Sequence, residues 1–95
     1  MGEAGNKADR AFLTNYALAL IAIRRDPEIR MSSLADQLGI AERSAHRLIA
    51  DLVADGYITK VRTGRRNRYE MSPRGDLRHP MLEGRDLADL IRALA

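Results

Sequence analysis

The sequence is a short, cysteine-free chain with a small basic excess. Its 95 residues suffice for one domain with a modest core, and the lack of cysteine excludes a disulfide framework and a thiolate metal site. Sixteen basic and 13 acidic residues give a net charge of only +3, so the distribution of charge matters more than its sum. The longest apolar run, at 16–23, is far too short to span a bilayer, and we expect a cytoplasmic protein with no membrane partner.

The N-terminal part of the chain predicts a disordered polar start, at 1–9, and then a helix. The helix is predicted over Phe12–Arg25, where Thr14 can cap its regular part and Asp26-Pro27 ends it. Apolar residues occur on nearly every side of this segment. Such a pattern is typical of a helix that is buried on more than one side.

Two more helices are predicted in the middle of the chain, with a short turn between them. The first of these begins between Arg30 and Ser33 and ends at Leu38, where Gly39 is a C-terminal stop signal. The other is predicted over Glu42–Asp55. A period of 3.6 residues predicts that their inward faces contain Leu34, Ala35 and Leu38 in the first, and Ala45, Leu48, Ile49, Leu52 and Val53 in the second.

A β-hairpin is predicted directly after the third helix. Its strands are predicted over Tyr57–Arg62 and Asn67–Met71, with Thr63-Gly64 in the turn. The hairpin concentrates positive charge without an acidic residue among the basic ones, which are Lys60, Arg62, Arg65, Arg66 and Arg68.

Alternation along the second strand predicts two different faces for this hairpin. Tyr69 and Met71 are expected to pack inward near Val61, which leaves Arg66 and Arg68 on the other face. Charged residues there favour a surface that follows nucleic-acid phosphates or enters a minor groove. The alternative is an exposed hairpin that its charge protects from aggregation.

The chain is predicted to end in a loop and a short helix. Pro73, Gly75 and Pro80 favour a loop at 72–83, and 84–95 is predicted as the helix. A 12-residue helix is marginal by itself. Its apolar stripe is therefore expected to dock on the first helix, in its own subunit or in a partner's.

The outward face of the third helix carries two like charges, Arg43 and Arg47, four residues apart. Such a pair costs a free helix about 0.2–0.5 kcal/mol, which is understandable if an anion lies against it. Arginine can donate two hydrogen bonds to guanine, and Ser44 can bond a base or a phosphate. The alternative is that Arg47 pairs with Asp51 while Arg43 is only solvated. His46, on the flank of this helix, either touches phosphate or packs against the hairpin.

A helix-turn-helix followed by a basic hairpin is the layout of a winged helix, in which the third helix enters a DNA major groove. We therefore predict an α+β winged-helix domain at 10–71, with a three-helix core, a hairpin wing and an extra C-terminal helix. The predicted DNA-binding residues are Arg43, Ser44, His46, Arg47, Lys60, Arg62, Arg65, Arg66 and Arg68.

Short motifs in a fixed order resemble those of bacterial and archaeal winged helix-turn-helix transcriptional regulators, broadly the MarR-like group. They are Phe-Leu-Thr-Asn at 12–15, Arg-Asp-Pro at 25–27, Gly-Ile with Glu-Arg at 39–43, Asp-Leu and Gly-Tyr within 51–57, Gly-Arg-Arg-Asn-Arg-Tyr at 64–69 and Leu-Arg-His-Pro at 77–80. The resemblance implies DNA binding, usually as a homodimer. It also implies that DNA is contacted by Arg43, Ser44, Arg47, Arg65, Arg66 and Arg68.

Two features depart from that group. Ala41 stands where Ser or Thr usually caps the recognition helix, so this helix is expected to fray at its start. The chain also lacks the long dimerisation helices of larger MarR-like regulators, so their dimer and effector pocket are not transferred.

These patterns predict a sequence-specific regulator of transcription that binds double-stranded DNA in the nucleoid. The alternative is a winged helix that binds another protein and no DNA. A homodimer is expected, with Phe12, Tyr16, Leu20, Ile23, Leu87, Leu90, Ile91 and Leu94 at its interface; the competing arrangement folds the last helix back within one monomer. No enzyme, cofactor or metal site is expected, because no catalytic constellation occurs and two distant histidines do not hold a metal.

Overall fold

The computed structural model describes residues 12–72 and 77–95. Within them, four helices and one antiparallel hairpin follow each other in the order α1 (Asn15–Arg25), α2 (Met31–Leu38), α3 (Glu42–Ala54), β1 (Ile58–Thr63), β2 (Arg66–Met71), a 3-10 turn (Pro80–Leu82) and α4 (Leu87–Leu94). This order confirms the predicted α+β winged-helix architecture. The predicted disordered segment 1–9 and part of the predicted loop, 73–76, lie outside the described residues. None of the helices described is long and apolar enough to cross a membrane.

Helix α1 begins later than the sequence predicted. Thr14 has an extended backbone, and its Oγ1 accepts a hydrogen bond from the Ala17 amide at 3.4 Å, so the helix starts at Asn15. The predicted start at Phe12 was therefore wrong, because the cap fixes the first helical residue. The predicted end is confirmed, since Asp26 returns to an extended conformation after Arg25.

Helices α2 and α3 form the helix-turn-helix. Gly39 ends α2 in the left-handed conformation, with φ of 70°, which glycine adopts without a steric penalty. Ala41 gives α3 no side-chain cap, as expected, and Asp55 is a cap residue rather than the last helical residue. Of the five residues predicted to face inward from α3, Val53 is 37% exposed. It lies about 80° around the helix from Ala45, at the edge of the buried face.

The wing is the hairpin β1–β2, closed by a two-residue turn. Thr63 pairs with Arg66, so the turn consists of Gly64 and Arg65. The predicted turn, Thr63-Gly64, was one residue too early. Gly64 has φ of 62°, the positive value that a tight hairpin requires at its first turn residue.

The register of the wing decides which side chains share a face. Lys60 pairs with Tyr69, and Val61 pairs with Arg68. Tyr69 is 4% exposed, and Arg66 and Arg68 lie on the opposite face, as predicted. Val61 was predicted near Tyr69, which was wrong, because cross-strand partners point to the same face and Val61 therefore lies beside Arg68.

Helix α4 packs against α1 within the same chain. Leu87 and Ile91 are buried there, and the Arg25 side chain donates to the Leu94 carbonyl at 3.4 Å. The helix begins three residues later than the predicted 84, because Asp86 accepts a hydrogen bond from the Ala88 amide at 3.0 Å and caps it.

This packing divides the residues that were predicted for a dimer interface into two groups. Four of them are buried in the core of the protomer: Leu20, Ile23, Leu87 and Ile91. The other four remain exposed: Phe12, Tyr16, Leu90 and Leu94. The structure thus has the arrangement in which the last helix folds back within one monomer, and only the exposed group is available to a partner.

Candidate nucleic-acid interface

The outward face of α3 displays the residues that the sequence predicted for base contacts. Arg43, Ser44, His46 and Arg47 are all exposed, while the opposite face of the helix is buried in the core. This separation follows from the 3.6-residue period, which puts each basic residue roughly opposite the apolar ones.

Arg47 does not pair with Asp51, as the alternative for α3 required. The Asp51 carboxylate instead accepts a hydrogen bond from the Tyr16 hydroxyl of α1, at 2.9 Å. Among the residues that the structure describes, neither Arg43 nor Arg47 makes an ion pair. Two guanidinium groups four residues apart are therefore left without a carboxylate partner from residues 12–72 and 77–95.

The Tyr16–Asp51 bond also changes the chemistry of the phenol. The hydrogen bond to Asp51, and then the negative charge of that carboxylate, raise the pKa of Tyr16 above its usual 10.0. Tyr16 is therefore the neutral donor across the physiological pH range.

A cleft of about 520 Å³ separates α3 from the wing and the start of α2. Residues of both signs line it: the cations Arg30, Arg65 and Arg66, the acids Glu28 and Glu42, and His46. His46 lies beside its neighbour one turn earlier, with its Nε2 at 3.7 Å from a Glu42 carboxylate oxygen. The structure thus brings His46 of the recognition helix to the same cleft as Arg65 and Arg66 of the wing.

The remaining predicted residues lie outside this cleft. Arg43 and Arg47 are on the outward face of α3, and Lys60 and Arg62 are on β1. The Arg62 Nε donates to the Gly64 carbonyl at 3.1 Å, which holds that side chain along the turn.

Acidic residues lie closer to the wing than the sequence suggested. Glu28, in the turn between α1 and α2, has carboxylate oxygens at 3.8 Å from Arg66 and 3.7 Å from Arg68. Arg68 also lies 3.5 Å from Glu70 of its own strand. Within the described ranges, Lys60 and Arg65 form no ion pair, so the wing cations are not equivalent.

Sequence reasoning missed Arg30 and Glu28 as members of this surface. Arg30 has a local signal, since it is a basic residue directly before a helix of the helix-turn-helix. Glu28 has none, because its partners lie far away along the chain and meet it only through the fold.

The segment after the wing has a structural role. Arg78 lies over the Tyr57 ring, 4.4 Å from its centroid, and donates to the Asp55 carbonyl at the end of α3. His79 caps the following turn, with its Nδ1 accepting from the Met81 amide at 3.1 Å. These contacts tie the chain that leads to α4 against the end of the recognition helix.

Comparison with known proteins gives two matches. The family described as winged helix-turn-helix DNA-binding matches residues 19–59, from the middle of α1 to the start of β1. A riboflavin kinase from Thermoplasma acidophilum is 35% identical over 94 residues, which are 98% of this chain and 33% of that protein. The chain therefore spans about a third of the length of this relative. The family match and the order of the three core helices and the hairpin agree on a winged helix-turn-helix fold.

Proposed function

We propose that this protein is a sequence-specific transcriptional regulator that binds double-stranded DNA through α3 and the wing. The observation that carries the proposal is the pair Arg43 and Arg47, exposed on one face of α3 without a carboxylate partner in the described part of the chain. A helix surface that keeps two like charges together is suited to an anion. The match of residues 19–59 to a winged helix-turn-helix DNA-binding family supports DNA as that anion.

In this proposal, α3 lies in the major groove and reads bases. Arg43 and Arg47 each donate two hydrogen bonds to the O6 and N7 of a guanine, a contact worth about 1–3 kcal/mol of discrimination. Ser44, which is exposed between them, bonds a base edge or the nearest phosphate.

The wing, in the same proposal, positions the protein on the backbone or in the adjacent minor groove. Lys60 and Arg65, which have no ion pair within the described ranges, are its first phosphate ligands. Arg62, Arg66 and Arg68 supply further charge along both strands. Phosphate contacts of this kind fix orientation and carry no sequence information themselves.

We further propose a homodimer of the MarR-like group, located at the nucleoid. The exposed apolar residues Phe12, Tyr16, Leu90 and Leu94 support it, since they lie on or beside α1 and α4 and leave α3 and the wing open to DNA. A two-fold dimer reads two half-sites about 34–36 Å apart.

Two observations favour other candidates. The apolar surface around α1 and α4 also suits a protein partner, which is the alternative of an interaction module without DNA binding. The name of the riboflavin kinase relative makes flavin a ligand to test, but the chain covers a third of that protein, so its reaction is not carried over.

The experiment is a binding-site selection from random duplex DNA, followed by fluorescence anisotropy on the selected sequence. Arg43→Ala and Arg47→Ala are expected to relax base preference at single positions, whereas Arg65→Ala is expected to weaken binding evenly across sequences. Arg85→Ala is the matched control, because it removes the same charge from an exposed residue between the 3-10 turn and α4. If the unmodified protein binds no duplex at 50 mM salt, the regulator proposal fails and the interaction module takes its place.

A further inference from the structure

We propose that Glu28 is an internal competitor for DNA phosphates, which occupies Arg66 and Arg68 of the wing and so lowers the affinity for duplex DNA. The inference rests on the proposed DNA-binding function and names a residue that sets the strength of its phosphate contacts. Its basis is one carboxylate within 3.8 Å of two wing guanidinium groups.

The backbone around Glu28 is fixed from the helix side. Asp26 caps the end of α1, and its carboxylate accepts a hydrogen bond from the Glu28 amide at 3.1 Å. The Asp26 carbonyl accepts a second bond, from the Ile29 amide, also at 3.1 Å, and the Ile29 side chain is buried. Glu28 is therefore presented from an ordered turn rather than from a loose loop.

The same turn is joined to the wing through the backbone. The Tyr69 amide on β2 donates to the Pro27 carbonyl at 2.8 Å. Strand β2 is therefore hydrogen-bonded through its backbone to this turn as well as to β1. This bond places Glu28 beside β2, and the carboxylate reaches Arg66 with one oxygen and Arg68 with the other. Pairing with both arginines is thus a consequence of the register between turn and strand.

The two arginines depend on Glu28 to different degrees. Arg68 has a second carboxylate, Glu70, at 3.5 Å, whereas Glu28 is the one carboxylate paired with Arg66 in the described ranges. The side chains of these ion pairs are all partly exposed: Glu28, Arg66, Arg68 and Glu70. Each pair is therefore weak, and a DNA phosphate can replace the carboxylate. Arg66 and Glu28 also line the cleft beside α3, where DNA approaches in the proposed function.

The exchange costs free energy on any duplex. A phosphate that takes Arg66 must replace Glu28, and the Glu28 carboxylate itself repels the backbone. This cost does not depend on the bases that α3 meets, so it lowers the affinity for specific and for non-specific sequences by a similar factor.

The test compares Glu28→Gln with the unmodified protein on a selected duplex and on a shuffled duplex of the same length. Gln keeps the size of the side chain and the backbone amide that bonds Asp26. We expect Glu28→Gln to bind both duplexes about two- to fivefold more tightly, the range that exchange of exposed ion pairs allows. The log–log salt slope is expected to steepen by about 0.9 for each arginine that gains a phosphate.

Two controls separate the effect of the Glu28 ion pairs from the effect of a change in net charge. Glu83→Gln makes the same change of charge at an exposed residue in the segment before α4, and it is expected to change the affinity for either duplex much less than Glu28→Gln does. In an Arg66→Ala/Arg68→Ala background, Glu28→Gln is expected to lose most of its effect, because its partners are gone. Equal effects of the two Gln variants, or a full Glu28→Gln effect in the double-alanine background, would overturn the inference.

The same experiment distinguishes failure of the inference from failure of the proposed function. If the unmodified protein binds no duplex, the regulator proposal is wrong, and retention on a heparin column then measures the competition directly. Glu28→Gln eluting at higher salt than Glu83→Gln supports the role of Glu28 as a competitor for polyanions, and co-elution of the two variants refutes it.

Discussion

Replacement of Ile91 by alanine tests whether α4 is part of the core of one monomer. Ile91 is 0% exposed, on the face of α4 that packs against α1. The change removes three carbon groups, worth about 2.4 kcal/mol at about 0.8 kcal/mol each. A residual cavity adds to this, and substitutions of this kind cost about 2–5 kcal/mol in total. In a domain of this size, the melting temperature is expected to fall by about 10 °C or more.

Thermal unfolding followed by circular dichroism measures this loss, and Leu90→Ala is the matched control. Leu90 is the neighbouring residue on α4 and is 38% exposed, so its truncation is expected to cost much less. The measurement is made at two protein concentrations tenfold apart. Equal losses for the two variants would refute the placement of Ile91 in the core. A melting temperature that rises with concentration would report the proposed dimer, because the stability of a dimer depends on protein concentration.

Three other predictions concern charge, assembly and pH. A dimer that neutralises about six phosphates is expected to give a log–log salt slope near −5, measured by anisotropy between 50 and 200 mM salt; a flat dependence would contradict the proposed interface. Sedimentation at micromolar concentration is expected to give about 21 kDa, twice the chain mass of 10.6 kDa, and a Leu90→Lys/Leu94→Lys variant is expected to sediment as the monomer. Because Asp51 raises the pKa of Tyr16, the stability from this bond is present below pH 10.0 and is lost as the pH rises through the folded-state value. Absorbance at 295 nm, compared with Tyr16→Phe, is expected to show ionisation above pH 10.0, and Asp51→Asn is expected to lower it.

The helices were predictable because their signals are local. The Thr14 cap, the Gly39 stop and the apolar spacing of α3 each act within a few residues, and each was found where the sequence placed it. The error at Phe12 concerns the start of a helix, which a shift of about one turn changes. The error at Val53 concerns the edge of the buried face, where a rotation of about a quarter turn decides whether a side chain is buried or exposed.

The surface of the candidate site was less predictable because it depends on contacts between distant segments. The wing register placed Val61 beside Arg68, and only the position of the turn decides this. The pairing of Arg66 with Glu28 requires the turn after α1 to lie against β2. The docking of α4 on its own α1 rather than on a partner's is likewise not encoded in an apolar stripe, which fits both arrangements equally well.

The hydrogen bond between Tyr16 and Asp51 joins α1 to α3 and occupies a carboxylate on the helix that carries Arg47. Asp51 lies one turn after Arg47, so removal of the Tyr16 hydroxyl leaves a carboxylate that is free to pair with this arginine. Such a pair is worth about 0.2–0.5 kcal/mol, so Tyr16→Phe is expected to weaken binding to the selected duplex up to about twofold. Adding Asp51→Ala removes the competing carboxylate and is expected to restore or exceed the original affinity, as anisotropy would measure. If the double variant binds no better than Tyr16→Phe alone, Asp51 does not compete for Arg47. The hydrogen bond from Tyr16 is then not the reason why Arg47 has no ion pair with another described residue.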